Sequence, residues 1–457
     1  MLTLRGGERR PAAQSKVLGE QLTAVGMIQI GAEGRAFDNR AADAVEGIDA
    51  LITRHEIKKA EILIARQLRA APDVAVRAAL MVLRARARLY TTRPDEALDD
   101  LQHARDLDPD VMAMPETLQL LGDSHFARFE LASVGFADRA DTSHALAAYD
   151  ELLAHFPAYD NIGWVHYQRG RILLTEDHIE QAVNCFQQAL LSPSTVAAQT
   201  AYCYERLGFV AFYESRDLKQ ATLFLSKAID TFPANADRVW LVQVHTLRGR
   251  VFREMQQYER ALDAAQTAIR VASAAGVDGR RGLADALLTF AEIAAPLPGH
   301  ETDVIAALQQ FLQISKRPLG IDVTWSRVYE MLSEAYFKTG QHQSAVAACA
   351  AALQCNPYHP WEMALHYRMA RSYYQLGAYE QTIGAINAML SSAAADGQTV
   401  DDYRVFNVLG NAQFALGHYQ QAADAYETAL GLAPLQAAHL DTLRKYHRYA
   451  QQLRRPN

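Results

Sequence analysis

Two short segments place a histidine close to a carboxylate, and these residue types bind zinc or transfer protons. His55 directly precedes Glu56, and His178 lies two residues before Glu180. Neither pair is accompanied by further ligands, and one histidine with one carboxylate is too few for a zinc site. The sequence therefore predicts no metal site and no cofactor.

The chain also lacks the spaced motifs of phosphate binding and nucleophilic catalysis. It contains no GxxxxGK(S/T), GxGxxG, GxSxG or HExxH sequence, so no phosphate-binding loop, nucleophile elbow or zinc-protease helix is indicated. The four cysteines form no CxxC pair, and we interpret them as reduced, mainly buried thiols. They are Cys185, Cys203, Cys349 and Cys355. We predict that the protein is not an enzyme.

The composition is that of a folded protein with a mild acidic excess. Of 457 residues, 50% are hydrophobic, and 45 Lys and Arg stand against 52 Asp and Glu, for a net charge of -7. This balance excludes disorder and disfavours a nucleic-acid binder, because such binding requires many phosphates to be neutralised. No run approaches the roughly 18 apolar residues of a membrane-spanning helix, and the N-terminus is a poor signal peptide. We expect cytoplasmic residence.

A pair of alanines seven residues apart recurs along most of the chain. Seven residues make nearly two helical turns, so each pair puts two small side chains on one face, where a neighbouring helix can approach. A filling side chain lies four residues after the first alanine, and a proline often follows the second, where it ends the helix. The pairs are Ala97/Ala104, Ala182/Ala189, Ala221/Ala228, Ala261/Ala268, Ala345/Ala352 and Ala422/Ala429.

Upstream of each such helix, another helix carries a small residue at its middle, where we expect the two helices to cross. The 288 residues from Gly122 to Gly410 divide into seven intervals of about 41, the period of a helix pair. Tight turns join the two helices. In the clearest turns Gly377 and Gly417 end the first helix, and an aromatic residue two positions later begins the second.

These features resemble the tetratricopeptide repeat family, of the bacterial multi-repeat type. The resemblance implies an all-α, right-handed α-α superhelix, a solenoid of about nine helix pairs. The last copy follows the family's order and spacing most closely. Its matching residues are Leu409, Gly410, Gly417, Tyr419, Ala422, Tyr426, Ala429 and Pro434.

We predict three regions along the chain. Residues 1–40 carry six glycines and are expected to form a flexible or partner-ordered N-terminal arm. Residues 41–434 form the repeat array, with an insertion near 128–143 and a degenerate unit at 281–318. Residues 435–457 form a C-terminal capping helix and a basic tail.

The resemblance implies that the first helix of each unit lines a concave face that binds an extended peptide. The helical phase then assigns an arginine directly after the small residue of three units, with tyrosines nearby. Arginine beside tyrosine suits a peptide that carries carboxylates; tyrosines at helical spacing are also common in cores. The candidate groove residues are Trp164, Tyr167, Arg171, Arg250, Arg253, Tyr367, Arg371, Tyr374, Arg404, Asn407 and Asn411.

The sequence thus favours a non-enzymatic adaptor that binds partner proteins, or extended and possibly acidic peptides, on its concave face. On this interpretation, reversing the charges of Arg171, Arg250 and Arg371 leaves folding unchanged and abolishes partner capture. Two alternatives stay open. One is a ligand- or peptide-responsive regulator, and the other is a structural subunit of a larger complex anchored through the N-terminal arm. The partner and the oligomeric state are not specified by the sequence.

Overall fold

A computed structural model of the protein describes residues 39–70, 73–132, 138–193, 195–234, 239–277, 279–317, 320–434 and 440–453. Throughout these ranges the regular structure is helical, with 21 α-helices and one 3-10 turn at Pro109–Ala113. The all-α prediction is confirmed. The predicted N-terminal arm lies outside the described residues, except that Asn39 and Arg40 begin the first helix.

The chain divides into two compact units, residues 1–255 and 256–457. The helices of unit 1 are α1 (Asn39–Thr53), α2 (Ile57–Ala70), α3 (Val74–Tyr90), α4 (Pro94–Leu107), α5 (Pro115–Leu131), α6 (Arg139–His155), α7 (Ile162–Thr175), α8 (Ile179–Leu191), α9 (Ala197–Tyr213), α10 (Leu218–Thr231) and α11 (Val239–Glu254). Those of unit 2 are α12 (Tyr258–Ala274), α13 (Arg280–Ala294), α14 (Glu301–Ile314), α15 (Val323–Lys338), α16 (His342–Cys355), α17 (Glu362–Gln375), α18 (Tyr379–Ala395), α19 (Tyr403–Ala415), α20 (Tyr419–Leu432) and α21 (Leu440–Leu453).

Odd-numbered helices up to α19 are the first helices of the repeats, and even-numbered ones are the second helices. By chain order the described helices make ten such pairs, against about nine expected. The degenerate unit predicted at 281–318 contains α13 and α14, which contact each other. The helix α21 follows the last pair and packs Leu443 and Ala450 into the cluster around Tyr426.

The small residues explain how each pair of helices packs. All twelve alanines of the recurrent pairs are fully buried, including Ala182 and Ala189 of α8. Opposite them, Gly170 of α7 faces the ring of Phe186, and a Cβ added at this glycine would lie 2.6 Å from the ring. Gly122, Gly208 and Gly410 face Tyr149, Leu225 and Tyr426 in the same way. The predicted crossing points are confirmed at these four glycines.

The turns between paired helices use the left-handed backbone conformation. Gly377 and Gly417 have φ angles of 72° and 79°, and the next helices begin at Tyr379 and Tyr419, as predicted. Other turns adopt this conformation without glycine. These residues are His55, Thr92, Asp177, Arg216 and Gln256, with φ between 54° and 67°.

The segment near 128–143 largely extends the two helices of one hairpin. The helix α5 continues to Leu131, and α6 begins at Arg139, so both helices run beyond the crossing point at Gly122. Residues 133–137 lie outside the described residues. None of the helices in the described ranges has the combined length and apolar character needed to cross a membrane.

The cysteines provide a test of how tightly the helix pairs close. All four are buried and free of disulfides, and burial raises the pKa of each thiol. A raised pKa suppresses the thiolate, which is the reactive form. We expect the native protein to react with a disulfide reagent such as DTNB far more slowly than the urea-unfolded chain. In the unfolded chain all four thiols should react. A rapid equivalent in the native state would contradict this packing.

Candidate functional site

Two predicted groove residues of unit 1 lie in its core. Trp164 is fully buried and Tyr167 is 2% exposed, because α7 packs between the neighbouring first helices α5 and α9. Burial raises the pKa of Tyr167 to about 12. The prediction that Trp164 and Tyr167 line an open face is therefore wrong. Their aromatic rings pack between repeats instead.

A buried carboxylate organises the polar part of this core. Asp123 of α5 accepts hydrogen bonds from the Tyr149 hydroxyl at 2.6 Å, the Gln119 amide at 3.0 Å and the Trp164 indole at 3.2 Å. The Gln168 amide is a fourth donor at 3.4 Å. Burial raises the pKa of Asp123, although these hydrogen bonds oppose the shift. The network connects α5, α6 and α7, and its donors suit an acceptor-only carboxylate.

Arg171 is also an internal residue rather than a groove cation. Its guanidinium pairs with Glu130 and lies over the rings of Phe126 and Tyr167, 4.8 and 5.7 Å from their centroids. The side chain of Arg171 is 13% exposed and that of Glu130 is 8% exposed. Burial raises the pKa of Glu130, and the nearby arginines oppose the shift. Placing Arg171 on an open wall was therefore wrong.

The other two predicted arginines of unit 1 are half-buried and have partners within the unit. Arg250 donates to the Tyr213 hydroxyl at 3.4 Å, and Arg253 lies 3.2 Å from Glu254. Both are on α11, the last helix of this unit. In unit 1, therefore, the residues selected by helical phase mostly stabilise the protein itself.

Arg371 of unit 2 occupies the same position in its repeat as Arg171 of unit 1, but its surroundings differ. Arg371 follows the small residue Ala370, as Arg171 follows Gly170. Its guanidinium lies over Phe337 of the preceding first helix at 4.5 Å and over Tyr367 at 5.8 Å. Arg371 is exposed, and among the described residues no carboxylate pairs with it.

The missing carboxylate can be traced to one position in the repeat. Glu130 lies eight residues after the small residue Gly122 of α5, and the same offset from Ser333 of α15 leads to Gln341. The Gln341 side chain is turned to Thr339, to which its amide donates at 3.1 Å. Arg371 thus has the aromatic platform of Arg171 without its ion-pair partner.

The remaining candidates on α17 and α19 are partly engaged within the protein. Arg404 donates to both carboxylate oxygens of Asp402, which lowers the pKa of that carboxyl, yet its side chain is 67% exposed. Asn411 accepts the Tyr426 hydroxyl at 2.8 Å. The ring of Tyr374 contacts Tyr379 at 5.7 Å. Asn407 and Tyr374 are half-buried.

We call Phe337, Tyr367, Arg371 and Arg404 the Arg371 face. The three first helices that carry these residues contact one another in succession within unit 2. Burial raises the pKa of Tyr367, and the charges of Arg371 and Arg404 both act on its phenol. A guanidinium stacked on rings keeps its planar edge free, which suits bidentate hydrogen bonding to a carboxylate. The face can therefore hold carboxylates beside aromatic surface.

Phe337 is not among the groove residues predicted from the sequence, although its position in the repeat carries a signal. The residue four positions after the small residue of one first helix stacks on the arginine of the next, as Phe126 and Phe337 both show. The same offset from Ser333 leads to Phe337. The residue eight positions after the small residue likewise distinguishes the two arginines. It is Glu130, the partner of Arg171, in one unit and Gln341 in the other.

Comparison with known proteins identifies the repeats. The tetratricopeptide repeat family model matches residues 165–193, 326–359 and 403–434, which fall on the pairs α7/α8, α15/α16 and α19/α20. The resemblance stated from the sequence is confirmed, and the chain carries tetratricopeptide repeats in these three segments.

Individual relatives are distant. Human "Superkiller complex protein 3" is 24% identical over 299 residues, which are 65% of this chain and 17% of that protein. The chain thus spans about a sixth of the length of this relative. The Pseudomonas aeruginosa pilF structure has a TM-score of 0.41 and 14% identity, covering 56% of this chain and 98% of that one. A tetratricopeptide repeat protein from Parabacteroides merdae gives 0.36 and 11%, covering 63% and 98%.

Proposed function

We propose that this tetratricopeptide repeat protein is an adaptor that holds an extended, acidic segment of a partner protein against its Arg371 face. Tetratricopeptide repeats support protein–protein interaction as the general role. The finer assignment, an acidic ligand on the first helices of unit 2, rests on the comparison of two arginines in the same register. An adaptor of this kind acts by binding alone.

The proposal rests on the side chains that surround Arg371. In unit 1 the equivalent arginine stacks on two rings and pairs with Glu130. Arg371 stacks on two rings but is exposed and has no carboxylate partner among the described residues. A glutamate or aspartate of a partner would complete the arrangement that Glu130 completes internally. Hydrogen bonds to a charged group contribute about 1.5–3 kcal/mol each, enough to select an acidic segment.

The arrangement of helices favours an extended ligand over a single small anion. Arg371 and Arg404 lie on neighbouring first helices that contact each other, with Tyr367 influenced by both charges. A peptide in extended conformation can place successive side chains on successive repeats. At Arg404 an incoming carboxylate must compete with Asp402. We therefore expect Arg371 to contribute more to binding than Arg404.

The proposal is tested with a library of short fluorescent peptides rich in glutamate, titrated by anisotropy against the full chain. We expect peptides that bind the wild type to lose about tenfold or more in affinity to Arg371→Glu, which corresponds to at least about 1.4 kcal/mol. The control Arg444→Glu makes the same charge change on the exposed surface of α21 and should change affinity by less than about twofold. Equal loss in the two variants, or no acidic peptide that binds, would refute the proposal.

A further inference from the structure

Three potential metal ligands converge on the elongated hairpin of unit 1. His125 of α5 and Asp141 and His144 of α6 bring one ligand atom each to within 4.8 Å of the others. His125 Nδ1 lies 3.0 Å from Asp141 Oδ1, and the two imidazole rings are 4.9 Å apart. In the part of the chain that the structure describes, this is the one group of three such side chains gathered so closely.

We propose that His125, Asp141 and His144 bind a divalent transition metal ion of the zinc class. Two imidazole nitrogens and one carboxylate oxygen form a ligand set that suits zinc, cobalt(II) or nickel(II). Asp141 and His144 are three residues apart on one helix, so their side chains lie on the same face, and His125 approaches from the facing helix. Three protein ligands leave a coordination position for water. This proposal replaces the sequence prediction that the chain has no metal site.

Arg128 acts as the orienting group of the site. Its Nε lies 3.0 Å from both oxygens of Asp141 and fixes the plane of the carboxylate. When a metal takes one oxygen, Arg128 can keep its hydrogen bond to the other, as partners behind a metal ligand commonly do. The positive charge of Arg128 opposes the metal and is partly offset by Asp95, 3.7 Å away. We therefore expect moderate rather than very tight affinity.

The exposure of the three ligands indicates how an ion enters the site, and their position on the hairpin indicates what a bound ion does. The His125 side chain is 16% exposed, Asp141 is 5% exposed, and His144 is exposed, so the ion enters from the His144 side. The site joins α5 and α6 beyond their crossing at Gly122, within the elongated hairpin. A bound ion would hold these extensions together. Ligands that bind only the folded state also raise its stability.

The experiment is a calorimetric titration of the full chain with zinc chloride after removal of metals by EDTA. We expect zinc to bind the wild type, and to raise its melting temperature with increasing zinc concentration. His144→Ala should weaken binding at least about tenfold, as loss of one of three ligands predicts. Because His144 is exposed, this variant should fold as the wild type does.

Two further variants keep the result interpretable. His155→Ala removes another exposed histidine from the same helix and should leave zinc binding unchanged. His125→Gln keeps a hydrogen-bonding side chain beside Asp141 and should lose binding as His144→Ala does. Absence of zinc binding by the wild type, or equal binding by His144→Ala and the wild type, would overturn the proposal.

Discussion

Replacing Arg171 with methionine is expected to lower the free energy of unfolding by about 3–5 kcal/mol, because the change leaves the Glu130 carboxylate buried without its partner. Methionine fills much of the space between Phe126 and Tyr167, so the loss reports the unpaired charge more than a cavity. Urea unfolding followed by circular dichroism measures the change. This expectation reverses the sequence prediction that charge reversal at Arg171 leaves folding intact.

The equivalent substitution Arg371→Met is the matched control. It removes the same side chain in the same register, but from an exposed arginine that pairs with no described carboxylate. Its effect on unfolding should stay within about 0.5 kcal/mol. If both substitutions destabilise the protein equally, Arg171 does not differ from Arg371 in its contribution to stability, and the contrast drawn between them is wrong.

The pH dependence of Arg171→Met provides a second readout of the same charge. Burial raises the pKa of Glu130 in the folded state above its unfolded value, so the folded carboxyl holds its proton to higher pH. Removing Arg171 removes an interaction that opposes this shift, and the pKa should rise further. Stability is then lost as pH increases through the folded pKa. The difference between variant and wild type should therefore be smaller at pH 5 than at pH 7.

Replacing Gly170 with alanine is expected to cost about 1–3 kcal/mol of stability, although alanine is the better helix former. The added Cβ would lie 2.6 Å from the Phe186 ring, which is fully buried, so the ring or its helix must shift to make room. Thermal or urea unfolding of the variant measures the cost. The effect tests whether close approach at the small residue holds the helix pairs together.

Gly384→Ala is the matched control with the opposite expected sign. Gly384 lies inside α18, and a Cβ there meets nothing within 4 Å. Alanine should therefore stabilise the helix by roughly 0.5–1 kcal/mol. If both substitutions stabilise the protein, Gly170 is not at a crossing point.

The packing of the repeats could be predicted because it depends on local spacing. Ala182 and Ala189 fall on one helix face whatever surrounds that helix, and the burial of both follows from their position. The turn glycine Gly417 is similarly local, since a left-handed residue is needed to leave the helix. Such features repeat along the chain, and the repetition made them recognisable.

The candidate site could be predicted only in part, because exposure depends on neighbouring helices. Helical phase placed Tyr167 and Tyr367 on corresponding faces, but it does not say whether adjacent first helices cover that face, as they cover Tyr167. The proposed zinc ligands could be predicted only in part for the same reason. Asp141 and His144 have a visible three-residue spacing, whereas the approach of His125 depends on how far α5 and α6 extend.

The central claim is that Arg371 itself contacts an acidic residue of the ligand, and a double-mutant cycle tests it most directly. The affinity of one bound peptide is measured for wild type and Arg371→Ala, each with the peptide's glutamate intact or replaced by glutamine. We predict a coupling energy of about 1 kcal/mol or more for one glutamate, and none beyond error with Arg444→Ala. A coupling of zero between Arg371 and every glutamate of the peptide would contradict the account.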